Sequence, residues 1–364
     1  MCLTNTQICH LAFYQKYMPD STNWNVIGHT WAVDFLRRSI AGGHVAHAYL
    51  LSGPAGVGKA LLALRLAQAL NCEIGGPDPC MICRACKRIA RGNYPDVRVA
   101  GMASQAAGLK PDEAQRQKDL KIDTIREWQA DISLRPYEGR RRVFILHDAE
   151  RLTEAASNAM LKTLEEPPPY ATLILVANTA GDLMSTIVSR CRPLKLRPIP
   201  RAVVAAALRE RYNLAEYDAD MIAAWSGGRV GWALQMVDAP DDLAARQAQL
   251  DALLELHGQP HAAGFRWAEE RAKEYRSGEQ VAVFAALELW QSWWRDVMLA
   301  AAGCPEQIAH IDRAEDIGQA ARRYRLADIH AFITRLDATA KQLRENVNPQ
   351  LALENALLHL PSVV

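Results

Sequence analysis

No stretch of the sequence approaches the ~18 consecutive apolar residues that cross a bilayer. The start, MCLTNTQICHLAF, lacks the cationic opening and apolar run of a secretory signal. Those absences set the expectation of a cytoplasmic protein with no membrane partner. Charge of one sign is missing too: 42 Lys and Arg stand against 41 Asp and Glu, a formal net charge of +1. A chain that held nucleic acid by charge alone would be more basic, so any such contact is expected to be local or shared with partners. There is no internal repeat, no low-complexity tract, and no Ser-His-Asp set or paired-carboxylate hydrolase site. The 364 residues that are there are 49% apolar, enough for two or three packed domains.

The first two hundred residues alternate strand and helix signals. Short apolar runs at 47–53, 95–100, 142–150, 172–178 and 192–198 read as strands. Stretches 59–71, 122–134 and 153–169 have helical spacing, the last stopped by prolines. Residues 101–121 are polar and mixed and are expected to be a loop. Strands that are apolar almost throughout and joined by helices predict an α/β fold, a parallel five-stranded sheet covered on both faces. After Pro200 the pattern is helical to the end.

Between the first strand and helix lies Gly53-Pro54-Ala55-Gly56-Val57-Gly58-Lys59-Ala60. This is a phosphate-loop pattern, with alanine where serine or threonine is usual. Glycines let backbone N–H groups approach phosphate oxygens, and a helix N-terminus adds positive potential. Lys59 would reach the outer phosphates of ATP or ADP. The hydroxyl missing at Ala60 normally helps to hold magnesium. In such folds a second strand ends in a metal-binding aspartate followed by a glutamate. Here strand VFIL ends in His147, Asp148, Ala149 and Glu150. One alignment puts His147 at the aspartate and Asp148 at the glutamate. Shifting by one puts Asp148 at the metal and Ala149 at the base. Either register lacks a group, so feeble or absent hydrolysis is expected. For Glu150 the helix dipole offers a plainer reading, a solvated helix start.

Eight cysteines are present, and four crowd together as Cys72-x7-Cys80-x2-Cys83-x2-Cys86. Four thiolates close a tetrahedral zinc site with no position left for water, so a structural Zn2+ is expected. An iron–sulfur cluster also takes four cysteines, but nothing else in the chain points to redox chemistry. Cys2, Cys9 and Cys304 are isolated and receive no role. Arg140, Arg141 and Arg142 read as a solvated basic turn. Trp290 and Trp294 share a helix face and read as core or inter-subunit packing.

In order along the chain, the phosphate loop, the four cysteines, NYPDV (93–97), MLKTLEEPP (160–168) and Ser189-Arg190-Cys191 resemble the bacterial clamp-loader subunits of the AAA+ family. NPQLALENALLHLP (348–361) is similar to the family's helical collar. The resemblance implies an AAA+ nucleotide-binding domain at 1–198, a helical lid at 199–242 and an all-α collar at 243–364. It implies a place in the DNA polymerase III holoenzyme without polymerising activity. The implied partners are gamma/tau and delta subunits, the sliding clamp and primed DNA. It also makes Arg190 an arginine finger acting in the ATP site of an adjacent subunit, and Asn178 a polar sensor of phosphate.

Two branches of the family fit: the ATP-hydrolysing gamma/tau motor, and the delta-prime type with a degraded nucleotide site. Ala60, His147 and Gly231, which stands where the motor keeps a sensor arginine, favour the second. Two alternatives stay open on the sequence alone: a gamma/tau-type motor, and a zinc-containing DNA-binding protein with a vestigial ATP fold.

Overall fold

The computed structural model describes residues 24–107, 119–257, 259, 261–345 and 347–361. Its contacts divide the chain into two compact units. The first runs to Asn213 and takes in Gly228–Trp232; the second holds Leu214–Gly227 and the chain from Ala233 onward. The helical segment 199–242 is thus shared between them.

The first unit is built on five strands: β1 Ala48–Ser52, β2 Val97–Ala100, β3 Arg142–Leu146, β4 Ala171–Ala177 and β5 Arg192–Lys195. They lie in the order β2-β3-β4-β1-β5, and every pair is parallel. In β1, β3 and β4 every residue is buried. The reason is the period of two. Tyr49, Leu51, Ile145, Ile174 and Val176 enter one apolar cluster, while Leu50, Phe144, Leu146, Leu173 and Leu175 enter another. Both faces are covered, so these three strands read as nearly continuous apolar runs.

One face is covered by α1 (Thr30–Ala41), α2 (Lys59–Asn71) and α3 (Arg84–Ala90), whose Leu36, Leu62, Leu66 and Ile89 join the first cluster. The other is covered by α5 (Ile122–Ile132) and α6 (Glu154–Glu165), through Ile125, Met160 and Leu164. The expected loop at 101–121 begins with a one-turn helix, α4 (Met102–Ala106), and its stretch 108–118 lies outside the described residues. So do Cys2 and Cys9. A short α7 (Ser185–Val188) and α8 (Arg201–Tyr212) complete this unit's numbered helices, apart from the start of α10 (Val230–Asp238).

NYPDV has a structural task. Asp96 is 1% exposed and accepts the backbone N–H groups of Tyr137, Glu138 and Gly139 at 2.7, 2.8 and 2.7 Å. The guanidinium of buried Arg142 lies 3.5 Å away. Asn71 does the same for the next two residues, its side-chain oxygen accepting from Arg140 N and Arg141 N at 3.0 Å each. The arginine run is therefore strung on two polar side chains as it enters β3, and of its three residues only Arg140 is exposed. That corrects the expectation of a solvated turn. Truncating Asp96 strands three N–H groups and a buried cation. We expect Asp96→Ala to cost about 3–5 kcal/mol of unfolding free energy. Urea titration checks this; a loss below about 1 kcal/mol, the level of an exposed contact, would contradict it.

The second unit is helical: α9 (Glu216–Ser226), the rest of α10, α11 (Pro240–Glu255), α12 (His261–Ser277), α13 (Gln280–Ala301), α14 (Ala314–Arg323), α15 (Leu326–Arg344) and α16 (Pro349–Leu357). Trp290, Trp293 and Trp294 of α13 are all buried, and the rings of Trp290 and Trp294 meet Phe332 edge-on at 5.2 and 5.7 Å. All three are core, which for Trp290 and Trp294 is the first of the two readings their spacing allowed. Beside them Asp296, fully buried, accepts from Ala309 N, His310 N and Arg295 Nη2 at 2.8 Å each, with His310 Nδ1 also at 2.8 Å. Burial opposes its charge, but the bonds from His310 and Arg295 hold the carboxyl below its ordinary range. Among the described residues no helix is long and apolar enough to cross a membrane.

Candidate functional site

The phosphate loop sits where β1 hands over to α2, at the carboxyl end of the sheet. Gly53 has φ +147°, and a Cβ there would lie 2.1 Å from the Leu196 carbonyl oxygen, so only glycine lets the chain leave β1 beside β5. Gly58 precedes the first turn of α2. Lys59 folds back onto its own loop. Its ammonium donates to Gly53 O, to Pro54 O at 2.9 Å and to Asn178 Oδ1 at 2.9 Å. All three protons are thereby used. Burial lowers its pKa to about 8, against the pull of Glu150 and Asp148.

Asn178, at the end of β4, holds the lysine with its oxygen and gives its amide to Glu150 Oε1 at 2.7 Å; its backbone N–H donates to the same oxygen at 3.3 Å. Glu150 Oε2 is buried with no hydrogen-bond partner. The carboxylate that joins this chain is thus Glu150, on a 3-10 turn (Ala149–Arg151) and not on a solvated helix start. Sequence reasoning underrated it because the strand ends four residues earlier. The left-handed Asp148 at φ +55° supplies the bend that brings Glu150 back. Asp148 itself turns one oxygen toward Met102 N at 3.2 Å. His147 is pushed below its ordinary pKa by burial, against Asp148 and with help from Lys59, so it is neutral at pH 7. A neutral imidazole suits Zn, Cu or Ni; magnesium prefers oxygen.

Gly231, in the sensor-arginine position, donates its N–H to Gly56 O at 2.6 Å. A Cβ at Gly231 would stand 2.9 Å from that same oxygen. An arginine there requires the loop to move. Nearby Arg229 instead lays its guanidinium over the Trp232 ring, 5.8 Å from the centroid.

Arg190 follows α7, between buried Cys191 and exposed Ser189. Burial pushes the Cys191 thiol up to about 12, so it serves as packing and not as a nucleophile. The Arg190 guanidinium pairs with Glu165 Oε1 at 2.8 Å and donates to Thr186 O at 2.9 Å. Both side chains of the pair are well exposed, at 36% and 51%. In MLKTLEEPP, Met160 and Leu164 are buried, whereas Lys162, Glu165 and Glu166 face outward.

The four cysteines converge. Their sulfurs all lie within 4.8 Å of one another, and Cys80 and Cys86 Sγ are 3.9 Å apart. A tetrahedral zinc–thiolate centre with bonds near 2.3 Å has sulfur–sulfur edges of about 3.8 Å. The set therefore fits such an ion. Cys72 follows the C-terminus of α2, and Cys83 caps α3, accepting from Cys86 N at 3.4 Å. Cys80 accepts from Cys83 N at 3.3 Å. The surroundings are tied down as well. Asp78 takes a two-point contact from Arg37 at 2.7 and 2.9 Å and the Trp24 indole N–H at 2.9 Å. Buried Arg65 reaches Met81 Sδ at 3.1 Å, and Gln68 holds Cys86 O at 2.8 Å.

Comparison with known proteins agrees with these features. The family model described as "DNA polymerase III, delta subunit" matches residues 28–200, and its C-terminal companion matches 240–361. DNA polymerase III subunit delta' of Bacillus subtilis is 28% identical over 325 residues, 89% of this chain and 94% of that protein. DNA polymerase III subunit gamma of Buchnera aphidicola from Schizaphis graminum is 30% identical over 253 residues, 68% of this chain and 66% of that protein. Subunit tau of Escherichia coli is 32% identical over 186 residues, which is 51% of this chain but only 27% of tau. A gamma-subunit-related protein of Thermotoga maritima overlaps 90% of this chain and 98% of its own, at 20% identity and a TM-score of 0.43; the fold stands on the sheet described above and not on that overlap. The delta' relative is matched over nearly its whole length and the gamma and tau relatives only in part. With two adjoining delta-subunit models matched as well, the chain belongs to the DNA polymerase III delta/delta-prime family of clamp-loader subunits.

Proposed function

We propose that this chain is the delta-prime-type subunit of a bacterial clamp loader. In the ring it assembles with delta and gamma/tau subunits and helps to load the sliding clamp at primed DNA. It polymerises nothing, and its own ATPase is weak or absent. It serves the cycle by lending Arg190 to a neighbouring ATP site. Residues 1–198 form its AAA+ domain, 199–242 its lid and 243–364 its collar, and it works in the cytoplasm. The four cysteines hold a structural Zn2+.

The observation that carries this reading is the state of the phosphate loop's surroundings. Ala60 lacks the magnesium hydroxyl. His147 is neutral where a carboxylate is wanted. Gly231 packs against Gly56 where a sensor arginine would project. Three defects in one reaction leave the trans-acting arginine as the chain's chemical contribution. The test is turnover of ATP by the purified chain alone and in a loader reconstituted with delta, gamma/tau, clamp and primed DNA. The expected result is negligible turnover alone and clamp loading that requires the chain. Brisk turnover by the lone chain would make it a motor of the gamma/tau kind.

A further inference from the structure

The first unit has a second concave feature, which reaches the back of the phosphate loop at one end. It is a groove of about 450 Å3 along the outer side of β5, lined by Trp31, Lys195, Arg197, Pro198 and Pro200, with His29 at its inner end. His29 is already committed, its Nε2 lying 2.9 Å from Val57 O. The ring and the two cations are not. Trp31 is 48% exposed. Lys195 and Arg197 are exposed, and among the described residues neither has an ion-pair partner.

The backbone explains the arrangement. β5 is an edge strand, hydrogen-bonded to β1 alone. Leu194 and Leu196 point into the core, so Lys195 and Arg197 point outward together, spaced by about 6.6 Å along the strand. Arg192 covers Phe35 of α1 at 5.1 Å, and Trp31 stands one helical turn before Phe35. Charge is concentrated here although the whole chain is near neutral. From Leu183 to Arg209 there are six Lys or Arg residues and no Asp or Glu. That favours an anion. The prolines at 193, 198 and 200 remove backbone donors from this edge, so a peptide cannot extend the sheet along it. An exposed indole lining one groove with two cations offers a stacking face and two phosphate contacts to an unpaired strand.

We propose that the groove formed by Trp31, Lys195 and Arg197 binds single-stranded nucleic acid, with a base on the indole and successive phosphates on the two cations. This site is independent of the clamp-loading reading and is tested on the lone chain, so its failure leaves that reading untouched. The measurement is fluorescence anisotropy of a labelled oligothymidylate at low and rising salt. Lys195→Gln with Arg197→Gln is expected to weaken binding about tenfold or more and to flatten the slope of log affinity against log salt by about 1.4, two phosphates' worth. Trp31→Ala is expected to weaken binding about tenfold with the slope unchanged. All three positions are exposed, and unaltered thermal unfolding midpoints confirm that the variants fold. Binding that is undetectable, or unaffected by these changes, overturns the proposal. So does a polyglutamate or inorganic triphosphate competing as well as the oligonucleotide, since either would make the groove a site for acidic peptide or small anions.

Discussion

Arg190→Ala is expected to lower ATP turnover at the neighbouring site it serves by about a thousandfold, and the loader's total turnover by that site's share. The guanidinium is loosely held. Its partners are Glu165, itself half exposed, and the Thr186 carbonyl. An exposed pair of this kind is worth about 0–1 kcal/mol, so exchanging it for a triphosphate costs little. For the same reason the substitution should change stability by no more than about 0.5 kcal/mol. A planar, permanently charged fork is what a phosphoryl group losing its bond requires, so Arg190→Lys should recover only part of the rate. Glu165→Ala supplies the control: it frees the arginine without removing it and should leave turnover intact. Unchanged turnover in a reconstituted loader carrying Arg190→Ala sinks the finger role.

The fold was legible where burial on both faces wrote itself into the sequence. β1, β3 and β4 are almost wholly apolar, broken only by Ser52, Arg142 and Thr172, because neighbouring residues enter different clusters. The prolines after Glu166 marked the end of α6, and the tryptophans of α13 fell in the core on spacing alone. Of the helices that went unread, two are longer than five residues. α1 buries only Ala32, Val33 and Leu36 of its twelve residues, and α3 is a seven-residue element organised around Cys83 and Cys86. α3 is too short to show a stripe, whereas α1 carries one in Ala32, Val33, Leu36 and Ile40 that went unused.

The candidate site was legible as a motif and not as a network. The loop, Asn178 and the cysteines could be named from residue type and spacing. The pairing of Glu150 with Asn178 could not, because it depends on Asp148 adopting a left-handed bend. Nor could the task of Asp96, whose three N–H partners lie more than forty residues further on. Long-range polar contacts leave no periodic trace. They are specified by the turn geometry at both ends.

Removing metal from the cysteine module should have the second large effect. Element analysis of the purified chain is expected to give about one zinc per molecule, and Cys83→Ser with Cys86→Ser to give none. Cys72 and Cys86 are fully buried. Without a cation the Cys86 thiol stays protonated, because burial and the neighbouring Cys72 charge raise its pKa. The ion would replace those opposing charges with four bonds, so the loss on stripping should exceed that of any single surface contact. Free zinc fingers gain about 10–16 kcal/mol from their metal, a ceiling for this module. Here Arg37, Arg65 and Gln68 already hold the loop and the start of α3 to α1 and α2. A loss of a few kcal/mol is therefore expected, comparable to removing a native disulfide. Local loss of hydrogen-exchange protection should be confined to residues 72–90, and the sheet should remain folded. Cobalt in place of zinc should show the visible absorption of a tetrahedral thiolate centre. A brown iron–sulfur spectrum, or an unfolding midpoint unmoved by complete removal of metal, would show that the four sulfurs do something else.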